Sequence, residues 1–296
     1  MPPVQSTLRT ADGLDLAAEH HLRPACRGVV AFVHGYAEHT GRYGGLLAAL
    51  DAAGYASHLL DLRGHGRSGG VRGHVLRFEE YLADLDLFLD RIEQVQPRQP
   101  GPRLPRILVG HSLGGLIALR YVLHRSAGSA GPAGPAAFDA LAVVSPFLQP
   151  TMEVPWVKVG LAAVAAQLSP TLLIKSDIEA RWLSSDPAVV AAYEADPLVF
   201  KTLNPRWFFE ARRAQQEVLE RAGEIRLPAM VQLGAADPIA DPEAGRRLFE
   251  RLGSADKRLE VYPGLLHEIL NEVERARVIG DLVAWLDAHT AHDPAP

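Results

Sequence analysis

A serine flanked by glycines is the feature of this sequence best suited to chemistry. Residues 106–115 read RILVGHSLGG, so an apolar, β-prone run ends in Gly110-His111-Ser112-Leu113-Gly114 and a helical pattern begins at once. This is G-x-S-x-G between a strand and a helix, a context that lifts a serine hydroxyl clear of the strand end. The glycines follow from crowding, because the sharp turn leaves no room for Cβ atoms beside the nucleophile. A serine hydroxyl attacks a carbonyl only when a base removes its proton, and that imidazole must itself be oriented by a carboxylate. Of twelve histidines, His267 is best placed, in RLEVYPGLLHEIL between the last strand-like run and the final helical pattern. Asp237 follows the preceding strand-like run, in MVQLGAADPIAD. Acyl transfer also needs N–H donors for the developing oxyanion. The turn after Ser112 offers the Leu113 N–H. The turn after VVAFVHGY offers the Tyr36 N–H, with Gly35 permitting the sharp exit. His34 reads as a structural hydrogen-bonding residue rather than a second base.

Residues 36, 112, 237 and 267 are distant along the chain, so several strands must end at one edge to gather them. The sequence has such strands. Short apolar, β-branched runs lie at 28–34, 56–60, 106–110, 140–145, 229–234 and 258–262, and residues 7–22 alternate around Asp12-Gly13 as a hairpin does. Helical patterns lie between them at 46–53, 78–95, 113–124, 211–222, 242–252 and 271–289. That alternation predicts a mostly parallel sheet with crossover helices on both faces. It breaks between Ser145 and Arg206, where apolar helical pieces at 156–168 and 186–194 stand among prolines. We expect an insertion laid over the sheet there. The helix at 156–168 carries one charge, Lys158, and is apolar on more than one side, so it requires a second partner besides the domain. Residues 126–137, SAGSAGPAGPAA, read as a flexible surface loop.

Composition narrows the classes. The 296 residues are 48% hydrophobic and 22% charged, too apolar and too evenly charged for a disordered chain. A net charge of −5 without a basic run argues against a nucleic-acid partner. A single cysteine, Cys26, provides neither a disulfide framework nor a thiolate zinc site. Residues 64–69, GHGRSG, match G-x-G-x-x-G, but no helix opens there to receive a pyrophosphate. His267-Glu268 begins like a zinc-binding H-E-x-x-H, yet Asn271 stands where the second ligand belongs. No metal and no cofactor is expected. The first twenty residues lack the apolar core of a secretory signal, and no stretch approaches a membrane span, so a reducing, cytoplasmic setting is the default.

With these residues in hand, the chain resembles the monoglyceride lipase and lysophospholipase group of α/β-hydrolase fold serine hydrolases. The blocks that carry the likeness are HGYAEHTGRY at 34–43, DLRGHGRSGG at 61–70, the GHSLGG elbow, and the Asp237 and His267 turns. The order Ser112, Asp237, His267 is also that of the fold. The resemblance implies a core of residues 1–145 and 207–296, with a helical cap at 146–206 inserted after the sixth strand and covering an acyl tunnel. It makes Ser112 the nucleophile, Asp237 the acid, His267 the base, and Tyr36 and Leu113 the oxyanion donors. Glu38 and Arg42 fall near the glycerol end of the substrate, where a salt bridge bracing the loop is the competing role. Tyr36 departs from the small residue often found there, and its ring is expected to narrow the entrance. The implied activity is hydrolysis of a monoacylglycerol, a small lipid ester. A lysophospholipase, a broad carboxylesterase or thioesterase, a cofactor-free haloperoxidase and a non-catalytic binding protein are the alternatives. The cap would also meet a membrane or micelle surface transiently; oligomeric state is not legible.

Overall fold

The computed structural model describes residues 2–126, 138–152 and 156–290. The expected loop at 126–137 thus lies, apart from Ser126, outside the described residues.

In chain order the strands are β1 (Val4–Arg9), β2 (Asp15–His21), β3 (Val29–Val33), β4 (Ala56–Leu60), β5 (Arg106–His111), β6 (Ala140–Val144), β7 (Ile174–Lys175), β8 (Thr202–Leu203), β9 (Ala229–Gly234) and β10 (Lys257–Tyr262). The helices are α1 (Gly44–Ala52), α2 (Glu79–Val95), α3 (Leu113–Ser126), α4 (Trp156–Leu168), α5 (Pro187–Ala195), α6 (Pro205–Arg221), α7 (Pro242–Arg251) and α8 (Arg275–Thr290). Eight strands form one sheet in the order β1-β2-β4-β3-β5-β6-β9-β10. The pairings β1–β2 and β2–β4 are antiparallel, and every other pairing in this sheet is parallel. The fold is that of an α/β-hydrolase, as the resemblance implied, built on the mostly parallel sheet that the alternation of patterns predicted.

The central strands β3, β4, β5, β6 and β9 are buried along almost their whole length, as a sheet covered on both faces requires. One core packs α2, α3, α6 and α7 against residues such as Ala31, Leu108, Val143 and Val231. The other packs α1 and α8 against Val30, Phe32, Val109 and Val144. Parallel strands carry their carboxyl ends to one edge, so Val33, His111, Val144 and Gly234 finish side by side, and the loops that follow them meet.

After β6 the chain leaves the sheet for α4, the short antiparallel ribbon β7–β8, and α5, and then returns through α6. The helices α4 and α5 lie within a residue of where the apolar pattern places them, whereas the ribbon was not expected. Two strands of two residues carry too little alternation to read. The helix α6 also starts six residues earlier than its expected beginning at Ala211. Asn204 accepts a hydrogen bond from Trp207 N and Pro205 takes the first turn, a start signal that the surrounding aromatic residues concealed. The helix α8 begins later than expected, because Glu272 turns its carboxylate onto the backbone N–H groups of Leu266, Ser185 and Val273. Among the described residues no helix is long and apolar enough to cross a membrane.

Candidate active site

The turn from β5 to α3 is as tight as its glycines suggest. Ser112 has φ 52°, in the left-handed region that costs a residue with a Cβ about 1–3 kcal/mol. A Cβ on Gly110 would strike the Gly114 carbonyl, and one on Gly114 would strike the Val33 carbonyl. The strained serine is held by its own N–H, which donates to Val144 O at 3.0 Å, and by its carbonyl, which accepts from Phe147 N at 3.0 Å.

His267 lies across from it. Its Nε2 is 2.9 Å from Ser112 Oγ, and its Nδ1 is 2.7 Å from Asp237 Oδ2. Asp237 Oδ1 accepts from Ile239 N and Ala240 N at 2.8 and 2.9 Å, which fixes the carboxylate in its turn. All three side chains are buried. An ionised carboxylate only accepts, so Nδ1 carries the imidazole proton and Nε2 is left to accept from the serine hydroxyl. Burial opposes charge on His267, but the Asp237 carboxylate and its hydrogen bond, with Glu268 and Glu38 behind them, outweigh it and raise its pKa above the ordinary value.

The loop after β3 approaches from the other side. Gly35 N donates to Glu38 Oε1 at 2.6 Å, and a Cβ on Gly35 would press on both that carboxylate and Ser112. Among the described residues, neither Tyr36 N nor Leu113 N donates to a protein acceptor, which leaves both N–H groups available beside Ser112. Glu38 also takes hydrogen bonds from Tyr43 OH at 2.6 Å and His111 Nδ1 at 3.0 Å, and an ion pair from Arg42 at 3.2 Å. Burial opposes its ionisation, yet His111 and Arg42 hold it well below the usual carboxylate range. Arg42 in turn clasps Glu268 through two bonds of 2.5 and 2.8 Å. The structure therefore joins Glu38 and Arg42 in an internal network. Glu38 and Glu268 reach the wall of the cavity beside Ser112, and the Arg42 guanidinium stands behind them. Glu268 is the residue that motif reading passed over, since it entered only as the second letter of a failed zinc pattern.

Above these groups is a cavity of about 460 Å³, walled by Ser112, His267 and Tyr36 from the core and by Val159, Ile174 and Phe200 from the cap. Phe147, Trp207 and Phe208 make much of the remaining wall, so it is largely apolar. The Tyr36 ring contributes an edge of this wall, but it stacks on Trp207 at 3.9 Å and its hydroxyl donates to Gly73 O at 3.2 Å. Among the described residues no cluster of His, Cys, Asp and Glu is arranged to hold a metal ion.

Comparison with known proteins gives this geometry a family. Residues 24–274 match the family model described as serine aminopeptidase, S33. The chain is 37% identical over 265 residues to a monoacylglycerol lipase of Mycolicibacterium smegmatis, covering 89% of each chain. It is 26% identical over 266 residues to the phospholipase YtpA of Bacillus subtilis, covering 88% of this chain and 95% of that one. The monoacylglycerol lipase of Paleococcus ferrophilus superimposes with a TM-score of 0.79 at 30% identity, covering 98% of this chain and 100% of the other. The likeness runs through the core and the cap alike, and the chain belongs to the serine aminopeptidase S33 family of α/β-hydrolases, as an enzyme that hydrolyses esters.

Proposed function

We propose that this enzyme hydrolyses monoacylglycerols to fatty acid and glycerol through a Ser112–His267–Asp237 triad and an acyl-enzyme. The observation that carries the proposal is the run of two hydrogen bonds, 2.9 and 2.7 Å, from a strained serine to a buried carboxylate at the foot of an apolar cavity. His267 Nε2 takes the hydroxyl proton as Ser112 Oγ bonds to the ester carbonyl, and Asp237 holds the imidazole in the necessary tautomer and stabilises its charge. The oxyanion forms against the N–H groups of Leu113 and Tyr36, each such donor being worth ~2.7–4 kcal/mol in comparable sites. Protonated His267 then gives its proton to the departing glycerol oxygen. Water attacks the acyl-enzyme along the same path, and the fatty acid leaves. The chemistry calls on no cofactor. Because the imidazole must be neutral to act as base and its pKa is raised, the acid limb of kcat/KM should lie above pH ~6.5.

The cap at 146–206 supplies the apolar roof over a core of 1–145 and 207–296, and an acyl chain gains ~0.8 kcal/mol for each CH2 it buries there. Glu38 and Glu268 border the head-group end of this cavity, and Arg42 braces both carboxylates from behind. Their two carboxylates against one guanidinium disfavour an anionic head such as a phosphate. Val164, Leu168 and Leu172 are 57%, 82% and 40% exposed, apolar side chains of the cap suited to transient contact with a membrane or micelle. A panel of monoacylglycerols, lysophospholipids, short p-nitrophenyl esters and aminoacyl p-nitroanilides tests the assignment, with Ser112→Ala as its control. Monoacylglycerols should turn over fastest, and the Ala variant should lose both turnover and fluorophosphonate labelling. Faster hydrolysis of lysophospholipids would make the enzyme a lysophospholipase instead, and labelling that survives in the variant would remove Ser112 from its role.

A further inference from the structure

The loop that carries the Tyr36 N–H is fastened along its length to the cap. Tyr36 Oη accepts from Asn204 N at 3.2 Å, and Ala37 O accepts from Phe200 N at 3.4 Å. His39 Nε2 meets Asp196 Oδ2 at 2.8 Å, and the Arg42 guanidinium lies 4.8 Å from the centre of the Tyr193 ring. Positions 36, 37, 39 and 42 thus meet 204, 200, 196 and 193, one set rising as the other falls. The two segments run antiparallel, and the second is the stretch by which the cap returns to the core.

The fastening on the residue that carries the oxyanion N–H is at the Tyr36 ring. Its phenol sits between Gly73 O, to which it donates, and Asn204 N, from which it accepts, so both functions of the hydroxyl are used. Asn204 is fully buried, and its side chain ties the Trp207 N–H to the carbonyls of Pro170 and Leu172 further back in the cap. Trp207 closes the ring's face at 3.9 Å, and Phe200 meets it edge-on at 5.4 Å. A tyrosine has two rotatable side-chain bonds, so a ring fixed at its far end leaves its own backbone little freedom. The next residue, Ala37, has φ 65°, a conformation that a residue with a Cβ adopts only where its surroundings enforce it.

We infer that the Tyr36 phenol is a positioning group that couples the oxyanion N–H of its own residue to the cap's return segment, so that the oxyanion hole has its working geometry only while that segment is seated. The inference rests on the oxyanion role proposed for Tyr36 above and adds the cap as the element that sets it. Since the oxyanion exists only in the transition state, misplacing its donor lowers kcat and leaves substrate binding nearly unchanged.

Tyr36→Phe keeps the ring and its stacking while removing both hydrogen bonds of the hydroxyl. For the full-length enzyme we expect kcat on a long-chain monoacylglycerol to fall about threefold to tenfold, with KM within about twofold. A trifluoromethyl ketone, which forms a tetrahedral oxyanion on the serine, should lose affinity by the same factor as kcat/KM, whereas a non-reactive ether analogue of the substrate should not. Asp196→Asn, further along the fastening, should move the same quantities in the same direction by a smaller factor, and it keeps the inference testable if the Phe variant folds poorly. Variants that melt lower but retain kcat and ketone affinity, or that change KM alone, would overturn the coupling and leave Tyr36 a packing residue. A wild-type enzyme that hydrolyses no ester and ignores a fluorophosphonate would defeat the proposed function instead.

Discussion

Replacing Asp237 by Asn tests the triad more sharply than deleting it, because the surroundings dictate how the new amide must lie. Asp237 Oδ1 accepts from two backbone N–H groups, Ile239 at 2.8 Å and Ala240 at 2.9 Å, while Oδ2 alone faces His267. An asparagine in this place keeps its oxygen towards the two backbone donors, since the opposite orientation would set NH2 against them and leave two buried N–H groups unsatisfied, at ~1–3 kcal/mol each. Its NH2 therefore faces His267 Nδ1. An NH2 group only donates, so Nδ1 becomes the acceptor and the imidazole proton moves to Nε2. That nitrogen can then no longer accept from Ser112 Oγ, and the base is lost although every heavy atom stays in place. The corresponding change in a serine protease lowers kcat by ~10⁴, and we expect a loss of that order here with melting behaviour close to wild type. The assay is the steady-state rate on a monoacylglycerol, beside the rate of fluorophosphonate labelling and a thermal melt. Hydroxide can take over the proton abstraction, so residual activity should climb with pH above the wild-type limb. A folded variant that keeps more than about a tenth of wild-type kcat would refute the tautomer reasoning and require another acid, since the inverted tautomer costs ~10⁴ where it has been imposed.

Two further outcomes follow from the structure. Gly114→Ala would drive a Cβ into the Val33 and His34 carbonyls, a backbone collision with no flexible group to yield. The expected cost is at the upper end of ordinary overpacking, about 3 kcal/mol or more, and a variant whose melting temperature and activity match wild type would contradict the packing of the elbow. Acid should also unfold the protein early. His20 and His58, buried with Nδ1 atoms 2.9 Å apart, are pushed down to about 4 and about 3 by burial, and His65 to about 3 for the same reason. Their values in the unfolded chain are ~6.5, so the unfolded state binds protons first as pH falls. Stability from these groups is complete above pH ~6.5 and drains away towards pH ~4, while His267, raised in the fold, acts in the opposite sense over a higher range. Melting temperature measured between pH 8 and 4 should be level at first and then fall; a level profile to pH ~4 would show that these histidines titrate normally.

Ser112, Asp237 and His267, which the structure brings into one hydrogen-bonded run, stood out in the sequence because the roles proposed for them leave local marks: glycines around a sharp turn, and a carboxylate and an imidazole directly after strand-like runs. The sheet was legible for a related reason, since a strand buried on both faces must be apolar throughout, and 106–110 and 140–145 stand out against polar helical repeats. What escaped had no local mark. The ribbon of β7 and β8 is too short to alternate, and the first turns of α6 are hidden in aromatics that face the cavity. Glu268 acquires its partner only when residue 42 comes within 2.5 Å of it, across more than two hundred positions of chain.

Composition and pattern thus determined the order of strands and helices, the strained serine and the residue types able to move its proton, because those properties depend on neighbours a few positions away. Only the tertiary structure decided where Glu38, Arg42 and the Tyr36 ring spend their polar atoms. A hydroxyl or carboxylate takes whichever partner lies within about 3 Å, and in a packed interior that partner comes from a different loop.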